Sequence, residues 1–457
     1  MSGDRKLKIA IIGSGISGLS AAWLLNQGHD ITVFEKDGRL GGHSNTVDAL
    51  IDGPQGRLSI PVDTGFIVYN ERTYPNLTAL FEHLDIATEE SVMSFSASMN
   101  AGGFEYSGAG LTGLLAQKRN LVRPRFWSMV LDILRFYREC VRDAGLPENA
   151  ELTLGDYLNK HGYSDGFLRD HIYPMASSIW SATFEEIREY PLTAFVRFFS
   201  NHGLLETKQD RRPKWRTVSG GSKSYVDRIA ADFSDNILLN TSVVGVTRSP
   251  EGVSIFTEDG ETHSFDHVVF ASHSNQALAM LNDPTSDERT LLSSIRYEYN
   301  RAVLHTDESM MPRRRRAWAS WNYISAGKED QSQLVCLSYW MNLLQNIDRD
   351  YPVFVTLNPH RDPDPAKTIR SFDYEHPIFD QKALDAQKQL WALQGSNRTW
   401  YCGAYFGYGF HEDGLQSGLA VAEQLGGLKR PWTVDNESGR ICMAGLVDTP
   451  STVQEAA

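Results

Sequence analysis

Three glycines and one acid near the start of the chain have the types and spacing of a dinucleotide-binding site. Gly13, Gly15 and Gly18 form a Gly-x-Gly-x-x-Gly segment, and Glu35 follows about twenty residues later. The first glycine permits a tight turn, the second lets the backbone approach a pyrophosphate, and the third lets a helix pack closely on a sheet. The acid would accept hydrogen bonds from ribose hydroxyls and disfavours a 2′-phosphate, which predicts an NAD- or FAD-like ligand rather than NADP.

The elements that must position these residues surround them in the sequence. An apolar run at 9–12 predicts a buried strand, the Ala/Leu-rich stretch 19–26 predicts a helix, and a second β-rich run ends at Glu35. This order places the N-terminus of the helix at the diphosphate, where its free N–H groups favour negative charge. The cofactor contacts predicted in this unit are Gly13, Ser14, Gly15, Ile16, Ser17, Gly18 and Glu35.

The residues after the acid separate FAD from NAD. Residues 34–43 read Phe-Glu-Lys-Asp-Gly-Arg-Leu-Gly-Gly-His, which resembles the flavoprotein signature in which Arg-x-Gly-Gly closes over the diphosphate and ribitol. The family resembled comprises flavin amine oxidases, phytoene desaturases and protoporphyrinogen oxidases. The resemblance implies that Lys36, Arg39, Gly41, Gly42 and His43 contact FAD. Amine oxidases usually carry Gly-Gly-Arg, so either Arg39 supplies the missing charge or His43 donates a single hydrogen bond.

Further segments resemble cofactor-binding elements of the same family. Residues 62–66 resemble its Asp-x-Gly turn beside the flavin, which implies contacts from Gly65 and Phe66. Residues 218–222 resemble the Gly-Gly turn that leads back into the FAD-binding domain. Residues 241–243 resemble the strand whose valine, here Val243, pairs with adenine. Residues 266–272 resemble an Asp-x-Val-Val-x-Ala strand that brings Ala271 near the cofactor.

The segment 402–418 resembles the closing motif of the family most strongly. The resemblance implies that the N-terminus of the helix after it points at the pyrimidine edge of the flavin, with contacts from Gly403, Asp413, Gly414 and Leu415. Helix N–H groups there stabilise negative charge when the flavin is reduced. Ala404 replaces the aspartate that binds ribitol in the family, and either Asp413 or Tyr405 compensates.

The sequence says less about catalytic side chains. His411 precedes the C-terminal helix in the loop expected to face the flavin, and Tyr405 and Tyr408 are candidate walls of the substrate site. A single histidine is more often a structural hydrogen-bonding group, and these tyrosines fit equally well as core aromatics. Cys402 raises a covalent flavin link, but its place on a buried strand favours a packed thiol.

Composition limits the function classes. The chain has 457 residues with 41% hydrophobic and 22% charged residues, typical of a globular enzyme of two domains. A net charge of −13 makes nucleic acid an unsuitable partner. The four cysteines are scattered without a Cys-x-x-Cys pair, which argues against a metal site and suits a reducing cytoplasm. No apolar run has the length of a membrane span.

The basic residues are bunched beside tryptophans. The clusters are 118–127, 211–216 and 313–321. Arginine and lysine beside tryptophan suit an anionic lipid surface, which predicts peripheral contact with a membrane. The alternative is that these residues form solvated faces or internal ion pairs.

The order of patterns predicts the domain organisation. Strand-like and β-α-β patterns occur at the start, middle and end, whereas 75–210 is mostly helical. An Asp-Gly turn at 259–260 predicts a hairpin between the strands 253–256 and 268–270. The predicted fold is α/β, with a Rossmann-like FAD-binding domain of the glutathione reductase/amine oxidase type made of 1–75, 215–285 and 395–430. An inserted α+β substrate domain comprises 76–214 and 286–394, and 431–457 is a C-terminal tail.

These observations favour an FAD-dependent oxidoreductase that takes a hydride from a lipophilic substrate, with O2 or another acceptor reoxidising the flavin. Residues 63–77, 304–323 and 374–377 resemble a bacterial subgroup linked to modification of unsaturated or methyl-branched fatty acyl chains, which implies such a chain as substrate. One alternative is an amine oxidase that releases H2O2. The other is a non-catalytic lipid- or protein-binding member of the fold.

Overall fold

The structure is a computed structural model that describes residues 6–108, 110–206, 212–327 and 335–443. Within these ranges the chain forms a parallel sheet, a larger mixed sheet and three small sheets. Strands and helices are numbered along the chain.

The parallel sheet carries the N-terminal glycine segment. In spatial order its strands are β10 (Ile237–Leu238), β2 (Asp30–Phe34), β1 (Lys8–Ile12), β14 (His267–Phe270) and β20 (Thr399–Tyr401). They come from the start, middle and end of the chain. Ile9, Ala10 and Ile11 of the central strand are fully buried, because a helix (Ile16–Leu25) and a strand of a small sheet (Thr262–Phe265) both pack against this strand.

Three helices lie beside this sheet: α1 (Ile16–Leu25), α10 (Lys223–Ala230) and α15 (His411–Gly426). All ten residues of α1 are buried, since α10 and α15 both pack against it. The prediction that His411 lies in the loop before the C-terminal helix was wrong: α15 begins at His411, so this histidine occupies its first turn.

The mixed sheet has seven strands. In spatial order they are β19 (Thr368–Ile378), β15 (Arg296–His305), β18 (Phe354–Leu357), β17 (Cys336–Trp340), β16 (Trp321–Ile324), β7 (Phe95–Met99) and β8 (Phe104–Ser107). Neighbours are antiparallel except β16 and β7. The two ends of this sheet belong to different apolar clusters. Strands β7 and β8 contribute to one cluster, and β15 and β19 contribute to another.

The small sheets connect the large ones. Their strands are β3 (Thr46–Gly53) with β4 (Gly56–Asp63), β5 (Tyr69–Asn70) with β9 (Trp215–Val218) and β6 (Thr88–Ser91), and β11 (Val243–Arg248) with β12 (Val253–Thr257) and β13 (Thr262–Phe265). The prediction for the Asp259-Gly260 turn was wrong about its second strand. The turn joins β12 to β13, while β14 enters the parallel sheet because its apolar residues are buried between β1 and β20.

The remaining helices among the described residues mostly belong to the predicted helical region. They are α2 (Pro75–His83), α3 (Gly110–Leu114), α4 (Pro124–Ala144), α5 (Leu154–Lys160), α6 (Asp165–Phe167), α7 (Tyr173–Trp180), α8 (Phe184–Arg188), α9 (Leu192–Asn201), α11 (Ser274–Met280), α12 (Ser286–Leu292), α13 (Met341–Leu344) and α14 (Gln381–Leu390). The strands β6, β7 and β8 interrupt that region. The sequence did not predict these strands because their serine and threonine residues do not alternate with apolar residues according to burial. Both sides of β7 are buried, including its serines.

The core of the parallel sheet and the aromatic core of the helical region meet at Phe410. Its ring packs against members of both clusters, immediately before α15. No helix in the described part of the chain combines the length and apolar character needed to cross a bilayer. The structure describes the predicted C-terminal tail only as far as Met443.

Candidate active site

The glycine segment forms a turn in which the first and third glycines have no room for a side chain, whereas the middle glycine has. Gly13 has a φ of +105°, and a Cβ on it would lie 2.9 Å from the carbonyl oxygen of Ala271. A Cβ on Gly18 would lie 1.9 Å from the carbonyl oxygen of Gly13. By contrast, a Cβ on Gly15 would meet no atom of the described residues within 4 Å. The turn therefore packs tightly against the protein and leaves open space at its middle glycine.

The N-terminus of α1 lies beside this space. Gly15 is its N-cap residue, no side chain caps the helix, and its first turn contains no acid. Ser14, Ile16 and Ser17 are buried around this end. Because the first N–H groups of a helix have no partner within it, the uncapped end favours an anionic group such as a diphosphate.

Glu35 lies directly after β2 and is buried. Its carboxylate accepts hydrogen bonds from the backbone nitrogens of Ser14, at 3.0 Å, and Asp37, at 2.9 Å. These donors fix the acid at the carboxyl end of a parallel strand. This is the position from which an acid binds the ribose of a dinucleotide.

The Gly41-Gly42 turn lies against the glycine segment. Gly41 and Gly42 have φ values of +101° and +56°, and the backbone nitrogen of Gly41 donates to the carbonyl of Ser14 at 3.0 Å. A Cβ on Gly65 would lie 2.2 Å from the carbonyl oxygen of His43. The structure thus places the turn at Gly41-Gly42 and the turn at Gly65 against each other. Both were predicted to contact the flavin.

The N-terminus of α15 meets that of α1. A Cβ on Gly414 would lie 2.8 Å from the Ser17 hydroxyl, and one on Gly418 would lie 2.3 Å from the Ser17 carbonyl. Leu415 is fully buried, and the Ser417 hydroxyl accepts from the backbone nitrogen of Gly403 at 3.0 Å. The two helices cross so closely only because glycines face the contact. The positive ends of two helix dipoles therefore converge on one place.

His411 lies at this convergence. Its Nε2 is 2.7 Å from the Tyr225 hydroxyl and 3.0 Å from the Ser44 hydroxyl. Its ring stacks on Phe66. Burial lowers the pKa of His411 to about 3, and His43 adds to this effect. At neutral pH the imidazole is therefore uncharged and acts through hydrogen bonds.

Two further histidines lie close to His43. Its ring centroid lies 5.5 Å from that of His376 and 6.4 Å from that of His273. Burial lowers the pKa of His43 and His273 to about 4 and that of His376 to about 3. His43 Nε2 is buried without a hydrogen-bond partner among the described residues. A neutral ring with an unused nitrogen replaces the cation that amine oxidases usually carry.

The predicted cofactor residues keep accessible surface although they lie deep in the protein. Gly13, Gly15, Gly42, His43 and Gly65 are partly exposed, whereas most of β1 and all of α1 around them are buried. Partly exposed residues in such surroundings line a cleft. The uncapped helix N-terminus, the acid after β2 and the glycine-lined cleft fit the diphosphate, ribose and ring of FAD.

Other predicted contacts lie in different surroundings. Arg39 is close enough to contribute to the lowered pKa of His43. The backbone of Ala271 packs against Gly13. Lys36 is exposed after Glu35, and Val243 is buried on β11. Their contacts with the cofactor stay predictions, as do those of the other residues in this set.

The predicted tyrosines are not equivalent. Tyr405 is buried in the core of the parallel sheet, and its hydroxyl has no partner among the described residues. The Tyr408 ring lies between the guanidinium groups of Arg197 and Arg440, at 5.3 and 5.5 Å. Neither tyrosine stacks on His411. Cys402 is fully buried, and burial raises the pKa of its thiol, as a packed thiol requires.

Asp413 forms an ion pair with Arg440, a residue that the sequence analysis did not identify. It is fully buried, with Arg440 Nε at 2.6 Å and the Phe410 backbone nitrogen at 2.7 Å. Its role toward ribitol stays a prediction. The neighbouring Glu412 accepts from the backbone nitrogens of Asn76 and Leu77, and so fixes the first turn of α2 beside the site.

Sequence reasoning also missed Ser44, Tyr225, Tyr374 and His376. Tyr374 lies 4.9 Å from the His43 ring, and its hydroxyl is 2.8 Å from that of Thr64. Tyr374 and His376 alternate along β19, and only their presence in a segment shared with a bacterial subgroup marked them in advance. Nothing in the local sequence around Tyr225 on α10 predicted its contact with His411.

Comparison with known proteins identifies the family of the chain. The model of the family described as flavin containing amine oxidoreductase matches residues 16–310. A putative flavin-containing monoamine oxidase of Mycobacterium tuberculosis is 23% identical over 369 residues, which are 78% of this chain and 71% of that protein.

Two solved structures share the fold at 15% identity. One is a putative protoporphyrinogen oxidase from an Exiguobacterium species, with a TM-score of 0.65, covering 93% of this chain and 99% of the other. The second is a CLA-producing fatty acid isomerase from P. acnes, with a TM-score of 0.60, covering 92% and 98%.

The fold and the site define an FAD-dependent oxidoreductase. The chain belongs to the flavin containing amine oxidoreductase family. FAD, when bound, accepts a hydride from a substrate C–H bond and passes the electrons on. The predictions of the fold, the cofactor and enzymatic activity are confirmed.

Proposed function

We propose that this enzyme removes a hydride from a C–H bond of a lipophilic substrate, an unsaturated or methyl-branched fatty acyl chain. O2 or another acceptor then takes the electrons. The observation that carries the proposal is a continuous aromatic core that runs through the helical region to the residue preceding α15.

The core consists of rings in mutual contact. Trp180 and Phe198 have centroids 4.7 Å apart, and Phe198 stacks on Phe410 at 5.1 Å. Phe410 directly precedes His411 and so lies at the converging helix ends. Apolar walls next to a hydride acceptor suit a substrate without charge at its reacting carbon.

The distribution of lysines supports this choice over an amine. Amine oxidases place a lysine near the flavin N5, as the resemblance implies. Every lysine within residues 6–108, 110–206, 212–327 and 335–443 is exposed. The buried acids closest to His411 are also engaged, Glu412 by backbone nitrogens and Asp413 by Arg440. They are poorly suited to attract a cationic substrate.

The fold shared with a fatty acid isomerase supports an acyl substrate. No disulfide joins the cysteines within the described residues, which supports the cytoplasm as the place of action. We further propose that the enzyme meets its substrate at an anionic membrane, in line with the basic clusters beside tryptophans.

An anaerobic titration tests the proposal. The purified enzyme, with its FAD, is mixed with an unsaturated acyl phospholipid, the free fatty acid, or a panel of primary amines and polyamines. Bleaching of the flavin band near roughly 450 nm by an acyl substrate alone is the expected result. A new double bond located by mass spectrometry then identifies the carbon atoms. Bleaching by amines alone contradicts the proposal.

Amine oxidation is the second candidate, because the similarity to the mycobacterial monoamine oxidase extends over most of this chain. It predicts H2O2 release with amines in air and none with acyl lipids. The same two substrate panels therefore separate the candidates.

A further inference from the structure

Helix α4 has a second apolar side that no element among the described residues covers. Phe126, Met129 and Phe136 face the protein core. Trp127, Leu131, Leu134 and Val141 recur at intervals of three, four and seven residues and are exposed, with Leu131 at 66%. Residues at this spacing share one side of a helix. A solvent-facing stripe of large apolar residues marks an interaction surface.

The apolar stripe continues into the chain before α4. Leu121 and Val122 end a 3-10 turn (Lys118–Val122), and Val122 is 80% exposed. The indole nitrogen of Trp127 donates to the Leu121 carbonyl at 3.0 Å, which holds the turn against the helix. Leu111 of α3 is 77% exposed. We call these exposed residues, from Leu111 to Leu134, together with the adjacent cations, the basic apolar face.

Cations surround these residues although the protein as a whole is acidic. Between residues 111 and 142 there are seven Lys and Arg residues against two acids, in a chain of net charge −13. Four of these cations are paired: Arg125 with Asp165 and Asp170, Arg135 and Arg138 with Glu139, and Arg142 with Asp143. The other three, Lys118, Arg119 and Arg123, form no ion pair within the residues that the structure describes. Lys118 and Arg119 are exposed. The face therefore presents positive charge.

A distant basic segment joins the same place. Arg123 donates to the Gly103 carbonyl and Arg314 to the Gly102 carbonyl, each at 3.0 Å, so both side chains hold one turn. Burial and repulsion by Arg119 and Arg314 lower the pKa of Arg123, whose other acceptors, Gln117 and Asn120, are neutral. Two of the basic clusters recognised in the sequence are thus one surface.

We propose that the basic apolar face docks the enzyme on an anionic lipid bilayer. Trp127, Leu131 and Leu134 would enter the interface with the turn at Val122, while Lys118, Arg119 and Arg123 contact headgroup phosphates. Charge and exposed apolar residues together favour a lipid surface over either alone. A second copy of the chain is a poorer occupant, because a symmetric contact would place like charges opposite each other.

The position of the basic apolar face in the fold suits delivery of an acyl substrate from the bilayer. This step rests on the proposed acyl-lipid chemistry. Phe136 of α4 contacts Phe195 at 6.4 Å, and Phe195 contacts Trp180 at 5.8 Å. The face is therefore the outer side of the aromatic core that ends at Phe410. A bound bilayer would lie against the region through which an acyl chain must approach.

Vesicle flotation of the holoenzyme tests the docking. We expect it to float with vesicles that contain about one third anionic phospholipid and to stay unbound with neutral phosphatidylcholine, because each basic residue at an anionic surface contributes roughly fivefold to binding. Added salt should release it. Failure to float with anionic vesicles, or equal flotation with neutral ones, overturns the proposal.

Variants locate the face. The pair Leu131→Glu and Leu134→Glu should reduce the bound fraction at least about tenfold, since acids replace apolar residues at an anionic surface. The matched control is Leu58→Glu, at an exposed leucine of the β3–β4 hairpin, which should float like the parent. Flavin content and gel-filtration behaviour report folding. An equal loss in the control contradicts the assignment, and a dimer broken by the paired change shows an interface between copies instead.

Turnover separates this inference from the proposed function. With a detergent-dispersed acyl substrate, the paired variant should react like the parent. In the parent enzyme, normal turnover without flotation would contradict the docking alone, whereas flotation without acyl turnover would contradict the proposed chemistry alone.

Discussion

His411 and Phe66 stack face to face, with ring centroids 3.8 Å apart and planes 8° from parallel. One ring begins α15 and the other follows the turn after β4, so the stack joins two segments that the sequence related only through their separate resemblance to flavin-binding motifs. Hydrogen bonds from Tyr225 and Ser44 fix the imidazole edge. The stack therefore sets how α15 approaches the Gly41-Gly42 turn.

Replacing His411 should disturb the flavin site more than the fold. His411→Gln removes the stacked ring and one of two hydrogen bonds, each worth about 1 kcal/mol. We expect weaker FAD retention and a shifted visible spectrum. The control is His305→Gln: His305 is fully buried and bonded to Thr356 in the mixed sheet. It should lower thermal stability without changing the flavin spectrum. An unchanged spectrum in His411→Gln would remove this residue from the site.

Acid should destabilise the protein over a defined range of pH. Burial lowers the pKa of His43 from 6.5 to about 4, and His376 and His411 reach about 3. Between these values the unfolded chain binds protons that the folded chain does not, so the free energy of unfolding falls as pH decreases from 6.5 toward 4. Denaturant unfolding at a series of pH values measures this. His43→Gln should give a shallower slope, and a slope identical to the parent's would contradict the assigned cause.

The N-terminal part of the site could be predicted because its chemistry is local. Gly13, Gly15, Gly18 and Glu35 lie within one β-α-β unit, and their spacing is dictated by the diphosphate and ribose they fit. Tyr225 could not be found this way. It reaches His411 only after α10 packs on α1, and the sequence around it reads as an ordinary amphipathic helix.

Arg440 shows the same limit at the other end of the chain. It lies in a segment without regular secondary structure, which the sequence marked only as an irregular tail. The interaction with Asp413 depends on how that segment folds back over α15, which involves contacts far apart in sequence. Periodicity within either segment carries no information about such contacts.

Removing Arg440 should be strongly destabilising. Arg440→Met leaves the buried Asp413 without its cation, and breaking a buried pair in this way costs about 3–5 kcal/mol. The double variant with Asp413→Asn should recover part of the loss, because it also removes the unpaired charge. Arg315→Met serves as control, since its pair with Glu308 is exposed and contributes at most about 1 kcal/mol. Equal unfolding midpoints for the two single variants would contradict the prediction.

Two glycines of one motif should respond differently to the same methyl group. A Cβ on Gly18 would lie 1.9 Å from a backbone oxygen, so Gly18→Ala must displace α1 and should lower stability by about 1–3 kcal/mol or more. A Cβ on Gly15 meets no protein atom within 4 Å, and Gly15 has a φ of −68° that alanine also adopts. Gly15→Ala should therefore keep the stability of the apoprotein.

Gly15→Ala should nevertheless lose FAD, because its methyl group enters the open space at the uncapped N-terminus of α1. Unfolding of the apoproteins and equilibrium dialysis against FAD measure the two effects separately. Gly327→Ala, where a Cβ also meets no atom of the described residues within 4 Å, is the control and should change neither. If Gly15→Ala binds FAD as tightly as the parent, the diphosphate does not lie over this glycine. If Gly18→Ala is as stable as Gly327→Ala, the close approach of α1 to the turn is wrong.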